Sequence, residues 1–227
     1  MDSDGVERRN AAGRFHWTGL PPDARRLAWV LLIIVVVVDG VIQYVTLRQR
    51  GRPALAGGED LLGFWDLAKA LAVGIALVYT AGRTESRAVG TLGALFLVVG
   101  IEDQIEIHGR LGKVIADLFR FDAWIPGIGR YGALNIGEAV AMALFGGVAF
   151  ILIWTGPKPH YPGLQRARVI LTVLLVAMFF FAVIIDLVTA AGRSLTSFLI
   201  EELGERGVLS LAAVYCLSLV SIKDWEG

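Results

Sequence analysis

What most constrains this chain is a series of long apolar runs, at residues 27–47, 61–79, 88–107, 134–154, 169–190 and 197–222. Each is close to the ~20 residues that one helical crossing of a bilayer requires. Peptide groups in hydrocarbon find no water, so a spanning segment must satisfy its own hydrogen bonds, and a run of this length does so as an α-helix. The expected fold is all-α: a polytopic membrane protein whose six transmembrane helices form three helical hairpins. Residues 1–26 read as a polar N-terminal segment, 27–222 as the membrane domain and 223–227 as a short tail. The first run is about twice the length of a signal-peptide core, so a spanning helix fits it better. Trp29, Trp65, Tyr79, Tyr131 and Trp154 lie near run ends, where amphipathic rings sit among lipid headgroups.

Charge removes one class of partner and orients the bundle. The formal net charge is +0 and no block of lysine and arginine occurs, which argues against nucleic acid. An even number of crossings leaves both termini on one side of the membrane. Of the 21 lysines and arginines, eleven fall on that side and eight on the other, while Lys69 and Arg206 lie inside runs. Lysine and arginine favour the cytoplasmic loops, so the termini are expected in the cytoplasm. The single cysteine, Cys216, can form no intrachain disulfide.

Acids interrupt the apolar runs in a regular way. The first, third and fifth carry one near their ends, in VVVVDGV (Asp39), VGIEDQI (Asp103) and AVIIDLV (Asp186). The second, fourth and sixth carry one near their starts, in GFWDLAK (Asp66), NIGEAVA (Glu138) and LIEELGE (Glu202). Eight residues after each of these last three stands a small residue: Gly74, Gly146 and Ser210. Successive helices run in opposite directions, so an acid late in one and early in the next falls at the same depth. All six are therefore expected toward one end of the bundle. An ionisable group inside a bilayer costs about 2.5 kcal/mol or more, and such groups are seldom idle.

The richest stretch is GIEDQIEIHG, residues 100–109. On a regular helix Glu102, Asp103 and Glu106 fall within about one 100° sector, and three like charges on one face require a cation or a proton among them. His108 points away from that sector unless the helix ends near Gly109 and lets the side chain swing back. Elsewhere the acids have structural readings. Asp66 with Lys69, and Glu202 with Arg206, have the spacing of helical ion pairs. Asn135 and Glu138 have that of a capping box. Asp39 has only Gln43, one turn on, for local polar company. Past Gly109, the apolar Leu111, Val114, Ile115, Leu118 and Phe119 recur at helical spacing against Arg110, Lys113, Asp117 and Arg120. That is an amphipathic helix lying in the interface, over about 110–122.

The histidine count narrows the chemistry. Of His16, His108 and His160, only His108 lies near a run, which excludes a bis-histidine haem and disfavours a multi-histidine zinc site. Carboxylates with at most one imidazole suit a divalent ion such as Mg, Ca, Mn or Fe(II), with Zn a poorer fit. The candidate ligands are Glu102, Asp103, Glu106, His108, Glu202 and Glu205. Asp39, Asp66, Lys69, Glu138 and Asp186 complete the intramembrane polar set. No G-x-S-x-G, phosphate-binding loop or dinucleotide fingerprint occurs.

Two local resemblances bear on function. IEDQIEIHGRLG resembles the D-E-x-x-x-x-H-E-R-L pattern of a group of bacterial multi-span proteins of unassigned activity, whose last span carries a second motif, E-E-x-x-E-x-x-G. Glu102 and Asp103 match the acid pair in swapped order, His108 the histidine, and Glu201, Glu202 and Glu205 the second motif; Gly109 replaces an acid and Val208 a glycine. This resemblance implies a bacterial inner-membrane location and no particular activity. EELGERG, residues 201–207, is similar to the E-E-x-x-x-R-G motif of CAAX-processing and bacteriocin-tolerance intramembrane proteases, where the glutamate pair activates water. That family's later histidine motifs do not follow, so His108 would have to serve from an earlier helix.

The expected function is an intramembrane carboxylate site that binds a cation, either a divalent metal or a coupling proton, in transport or metal-dependent membrane chemistry. One alternative is a non-catalytic subunit or assembly factor whose acids pair with a partner chain or a second copy. An intramembrane protease is another.

Overall fold

The computed structural model describes residues 20–50, 61–189 and 195–222. They form eight helices and, among the described residues, no strand: α1 Pro22–Arg50, α2 Leu61–Thr84, α3 Arg87–Ile105, α4 Ile107–Phe119, α5 Phe121–Trp124, α6 Gly129–Thr155, α7 Pro162–Thr189 and α8 Leu195–Val220. Pro22 and Pro162 open α1 and α7, where a missing N–H costs nothing and the fixed φ is already helical. Five segments are long and apolar enough to cross a membrane: Pro22–Val45, Leu61–Thr84, Gly129–Thr155, Pro162–Phe181 and Leu203–Val220. The bent pair α3 and α4 makes a sixth if counted as one span. The protein is thus an all-α polytopic membrane protein.

The most extensive helix pairing is α2 with α3. Glu85, at φ 51°, and Ser86 turn the chain between them, while Thr80 and Thr84 return their hydroxyls to the carbonyls of Ala76 and Thr80 at 2.8 and 2.7 Å. Small residues then let the backbones touch: a Cβ on Gly93 would stand 3.0 Å from the Gly74 carbonyl oxygen, and one on Gly100 would stand 2.4 Å from the Ala70 Cβ. Lipid tails are as apolar as leucine, so close van der Waals approach of this kind is a principal source of helix association in a membrane.

The hairpins are knit together by cross-packing. α1 lies mainly against α8 and only lightly against α2; α2 also packs on α8, α8 on α7 and α7 on α6. The apolar core fills one end of the bundle. Ala24, Leu77, Leu92, Leu164, Leu171, Cys216 and Leu219 are all buried there. Each lies in the half of its helix nearer the α1 N-terminus and the α8 C-terminus. α1 contributes little to this core, with only 6% of its most apolar window buried. Trp29, Ile33, Val36 and Val37 face outward, as lipid-exposed residues do.

Two expectations are corrected. The third apolar run is not one regular helix to Ile107. Glu106 adopts the left-handed conformation (φ 51°), and α4 leaves α3 at 72°. α6 begins at Gly129 rather than near Leu134, so Asn135 and Glu138 sit inside the helix and form no cap; the N-cap is Ile128, which makes no side-chain bond. The amphipathic segment forms α4, which ends at Phe119 and leaves part of its apolar stripe facing outward, as an interfacial helix does. α4 contacts α6, burying Gly112, Ile115 and Ala116, while Val114, Leu118 and Phe119 are exposed.

Candidate functional site

At the inner edge of the apolar core, near the middle of the bundle, α1, α2 and α8 meet on four charged side chains. Lys69 of α2 is only 3% exposed. Its Nζ lies 2.7 Å from Asp66 Oδ1, one turn back on the same helix, and 3.2 Å from Asp39 Oδ1 on α1. It also donates to Ser210 Oγ on α8 at 3.1 Å. Of the three N–H groups of the ammonium, two have acceptors in Asp39 Oδ1 and Ser210 Oγ, and Asp66 Oδ1 adds an ion-pair contact. Asp39 is held from the same two neighbours: Trp65 Nε1 donates to Oδ1 at 2.5 Å and Ser210 Oγ to Oδ2 at 2.8 Å. Asp66 Oδ2 accepts from Arg206 Nε of α8 at 3.0 Å.

Depth and charge define what this group is. Lys69 stands eight residues into α2, or ~12 Å at 1.5 Å per residue. A hydrocarbon core is about 30 Å thick, so the group lies inside it. Two carboxylates face two cations, and the formal charges cancel. Asp66 and Arg206 are 13% and 14% exposed at the side chain; Asp39, at 26%, is the most open member.

A second polar group lies at the α3–α4 elbow. The left-handed turn at Glu106 swings the chain back, so that buried Glu102 accepts the His108 backbone N–H on Oε1 at 2.7 Å, with His108 Nδ1 also 2.7 Å away. A carboxylate here satisfies an amide that the start of α4 leaves without a helical partner, and it sits at the positive end of the helix dipole. α4 then lies on α6 in backbone contact. A Cβ on Gly137 would stand 2.1 Å from the Gly112 carbonyl oxygen, and one on Gly112 would stand 2.6 Å from the Glu138 nitrogen. Gln104 Nε2 donates to the Gly63 carbonyl at 3.2 Å, tying the end of α3 to the start of α2.

The expected acids therefore divide. Asp39, Asp66 and Lys69 come together with Arg206; Glu102 pairs with His108; the two groups share no member. The expectation that a regular helix turns His108 away fails because the helix breaks between the two residues. Glu106 is exposed at the break, Glu205 half-buried on α8 and Glu138 half-buried against α4. The side chains of Asp103, Asp186, Glu201 and Glu202 lie outside the described residues. Among the described residues, no three His, Cys, Asp or Glu side chains are disposed to hold a metal ion.

Sequence reasoning overlooked the partners rather than the acids. Asp39 has company from other helices instead of Gln43. Arg206, expected beside Glu202, whose side chain lies outside the described residues, reaches across to Asp66. Trp65, read as a belt residue, turns its indole N–H inward. Ser210 was visible only as the small residue eight positions after Glu202. No protein-family model, characterised protein or solved structure matches this chain, and its chemistry has to be read from these side chains.

Proposed function

We propose that this chain is a membrane transport protein whose coupling proton binds at the Asp39–Lys69 pair. The observation that carries this reading is Lys69, which is buried within the span and bridges carboxylates from two helices. With Asp39 ionised, the site is neutral overall and Asp39 ties α1 to α2 and α8. A proton on Asp39 cancels its attraction for Lys69, leaves the site with one excess positive charge, and lets Lys69 fall back on Asp66. α1 has little apolar packing of its own, so the loss of these bonds frees it to move against α2 and α8. Asp39 is the most open member of the group and is the entry point. Ser210 Oγ, between Lys69 Nζ and Asp39 Oδ2, offers a hydroxyl that can pass a proton from one to the other. With cytoplasmic termini, as the charge bias favours, the site faces the outer half of a bacterial inner membrane.

The internal pairing also weighs between the alternatives. Asp39 and Asp66 have cations of their own and need none from a partner chain. They also present no surplus negative charge to a divalent ion. The metal reading rests instead on the elbow, favoured by the carboxylate of Glu102 beside the imidazole of His108. Metal analysis of the purified protein against Glu102→Gln tests it; equal, negligible metal in both removes it. A protease would draw on Arg206 and His108, whose described bonds run to Asp66 and Glu102.

The transport reading needs no known substrate for its first test. Proteoliposomes adsorbed on a solid-supported membrane are given a pH jump, and the charge displaced by proton binding is recorded. The wild-type protein gives a transient current that Asp39→Asn abolishes. A current equal to that of empty liposomes, or unchanged in Asp39→Asn, refutes the reading.

A further inference from the structure

α4 presents three sides, at about 100° of rotation per residue. One packs on α6 through Gly112, Ile115 and Ala116. The next carries Ile107, Val114 and Leu118, which are 41%, 60% and 74% exposed. The third carries Arg110, Lys113 and Asp117, all exposed. The helix cannot roll to bury its apolar side, because Gly112 and Gly137 are already in backbone contact. Bent 72° from α3, it runs nearly across the direction of the span. A helix so placed sets its apolar side in hydrocarbon and its charged side among the headgroups. Trp124 and Tyr131, 80% and 85% exposed just beyond it, fit the same level.

The charge on the outer edge has a sign. Asp117 is taken up by an ion pair with Arg130 of α6, which leaves Arg110, Lys113 and Arg120 against Glu106 and Asp122, an excess of one positive charge. We propose that this edge is a docking surface for anionic phospholipid headgroups, whose phosphates are met by Arg110, Lys113 and Arg120 while Ile107, Val114 and Leu118 lie among the acyl chains. The basic excess beside a locked apolar strip is what selects an anionic lipid over a zwitterionic one. This surface is independent of the proton site and stands or falls separately.

The test uses the full chain, extracted from mixed phosphatidylglycerol and phosphatidylcholine liposomes, with retained lipid measured by mass spectrometry. Phosphatidylglycerol is enriched on the wild-type protein. Arg110→Gln, Lys113→Gln and Arg120→Gln each lower its retention about fivefold, the worth of one basic residue at a membrane surface. Arg87→Gln, at the other end of the bundle, leaves retention unchanged, and added inorganic phosphate does not displace the lipid. No enrichment on wild type, unchanged enrichment in the three variants combined, or displacement by phosphate overturns the proposal. A second measurement survives a folding defect in the combined variant. The native Cys216 is buried, so spin labels can be placed selectively on Leu118→Cys and Lys113→Cys. The first label is relaxed by oxygen and the second by a water-soluble reagent; equal access of the water-soluble reagent to both overturns the placement of α4.

Discussion

Replacing Lys69 by methionine removes the centre of the intramembrane charge group, and the cost can be worked from its geometry. Truncating one partner of a buried ion pair costs about 3–5 kcal/mol, because the other charge is left without compensation. Two features hold the value at the low end. Asp66 keeps Arg206 at 3.0 Å. Asp39, 26% exposed, keeps its bonds from Trp65 and Ser210. A loss of about 3 kcal/mol is expected for Lys69→Met. Asp39→Asn is milder, about 2 kcal/mol, because Lys69 retains Asp66 and Ser210. The double variant leaves only the neutral Asp66–Arg206 pair, so its cost stays near that of Lys69→Met alone. A coupling of about 2 kcal/mol follows, inside the range seen for residues in direct contact. Reversible unfolding in mixed micelles, titrated with a denaturing detergent, measures all three. Costs that add to within about 0.5 kcal/mol would refute the claim that Asp39 and Lys69 form one unit.

Other consequences follow from the same contacts. Ser210→Ala removes the hydroxyl between Lys69 and Asp39 and slows the decay of the pH-jump current, whereas Ser210→Thr preserves it; equal decay in both variants would show that the hydroxyl passes no proton. Gly137→Ala places a Cβ 2.1 Å from the Gly112 carbonyl oxygen and must displace α4, at about 1–3 kcal/mol, measurable as a lower melting temperature in lipid nanodiscs. Glu102→Ala leaves the start of α4 without its acceptor and costs about 1–2 kcal/mol, read as faster amide exchange at His108.

The fold was legible in the sequence because hydrocarbon imposes one rule, that each run satisfies itself. The helices therefore lie close to where the apolar runs placed them. The common depth of Asp39 and Asp66 was legible too, since it follows from alternation of direction alone. Which acid met which base was not, because spacing along one helix sees only neighbours three or four residues apart. The bond from Arg206 to Asp66 on α2 runs between helices, where no spacing along one chain segment points to it. The elbow at Glu106 was hidden for another reason. Gly109, the nearest glycine, stands three residues past it, and a left-handed glutamate is an uncommon conformation that three-dimensional contacts stabilise. Those contacts are the Glu102 carboxylate on the α4 amide and the seating of Gly112 on Gly137. The apolar stripe of α4 was legible as a stripe: Val114, Leu118 and Phe119 face outward, while its contact with α6, made by Gly112, Ile115 and Ala116, was not legible.

The central claim is that Asp39 takes up a proton inside the bilayer in response to pH, and infrared difference spectroscopy of the protein in lipid tests it most directly. Acidification is predicted to raise a protonated-carboxyl band that is absent from Asp39→Asn and shifted by Lys69→Met. A spectrum in which no such band depends on Asp39 across the physiological pH range would contradict the claim and leave the charge group a fixed brace between α1, α2 and α8.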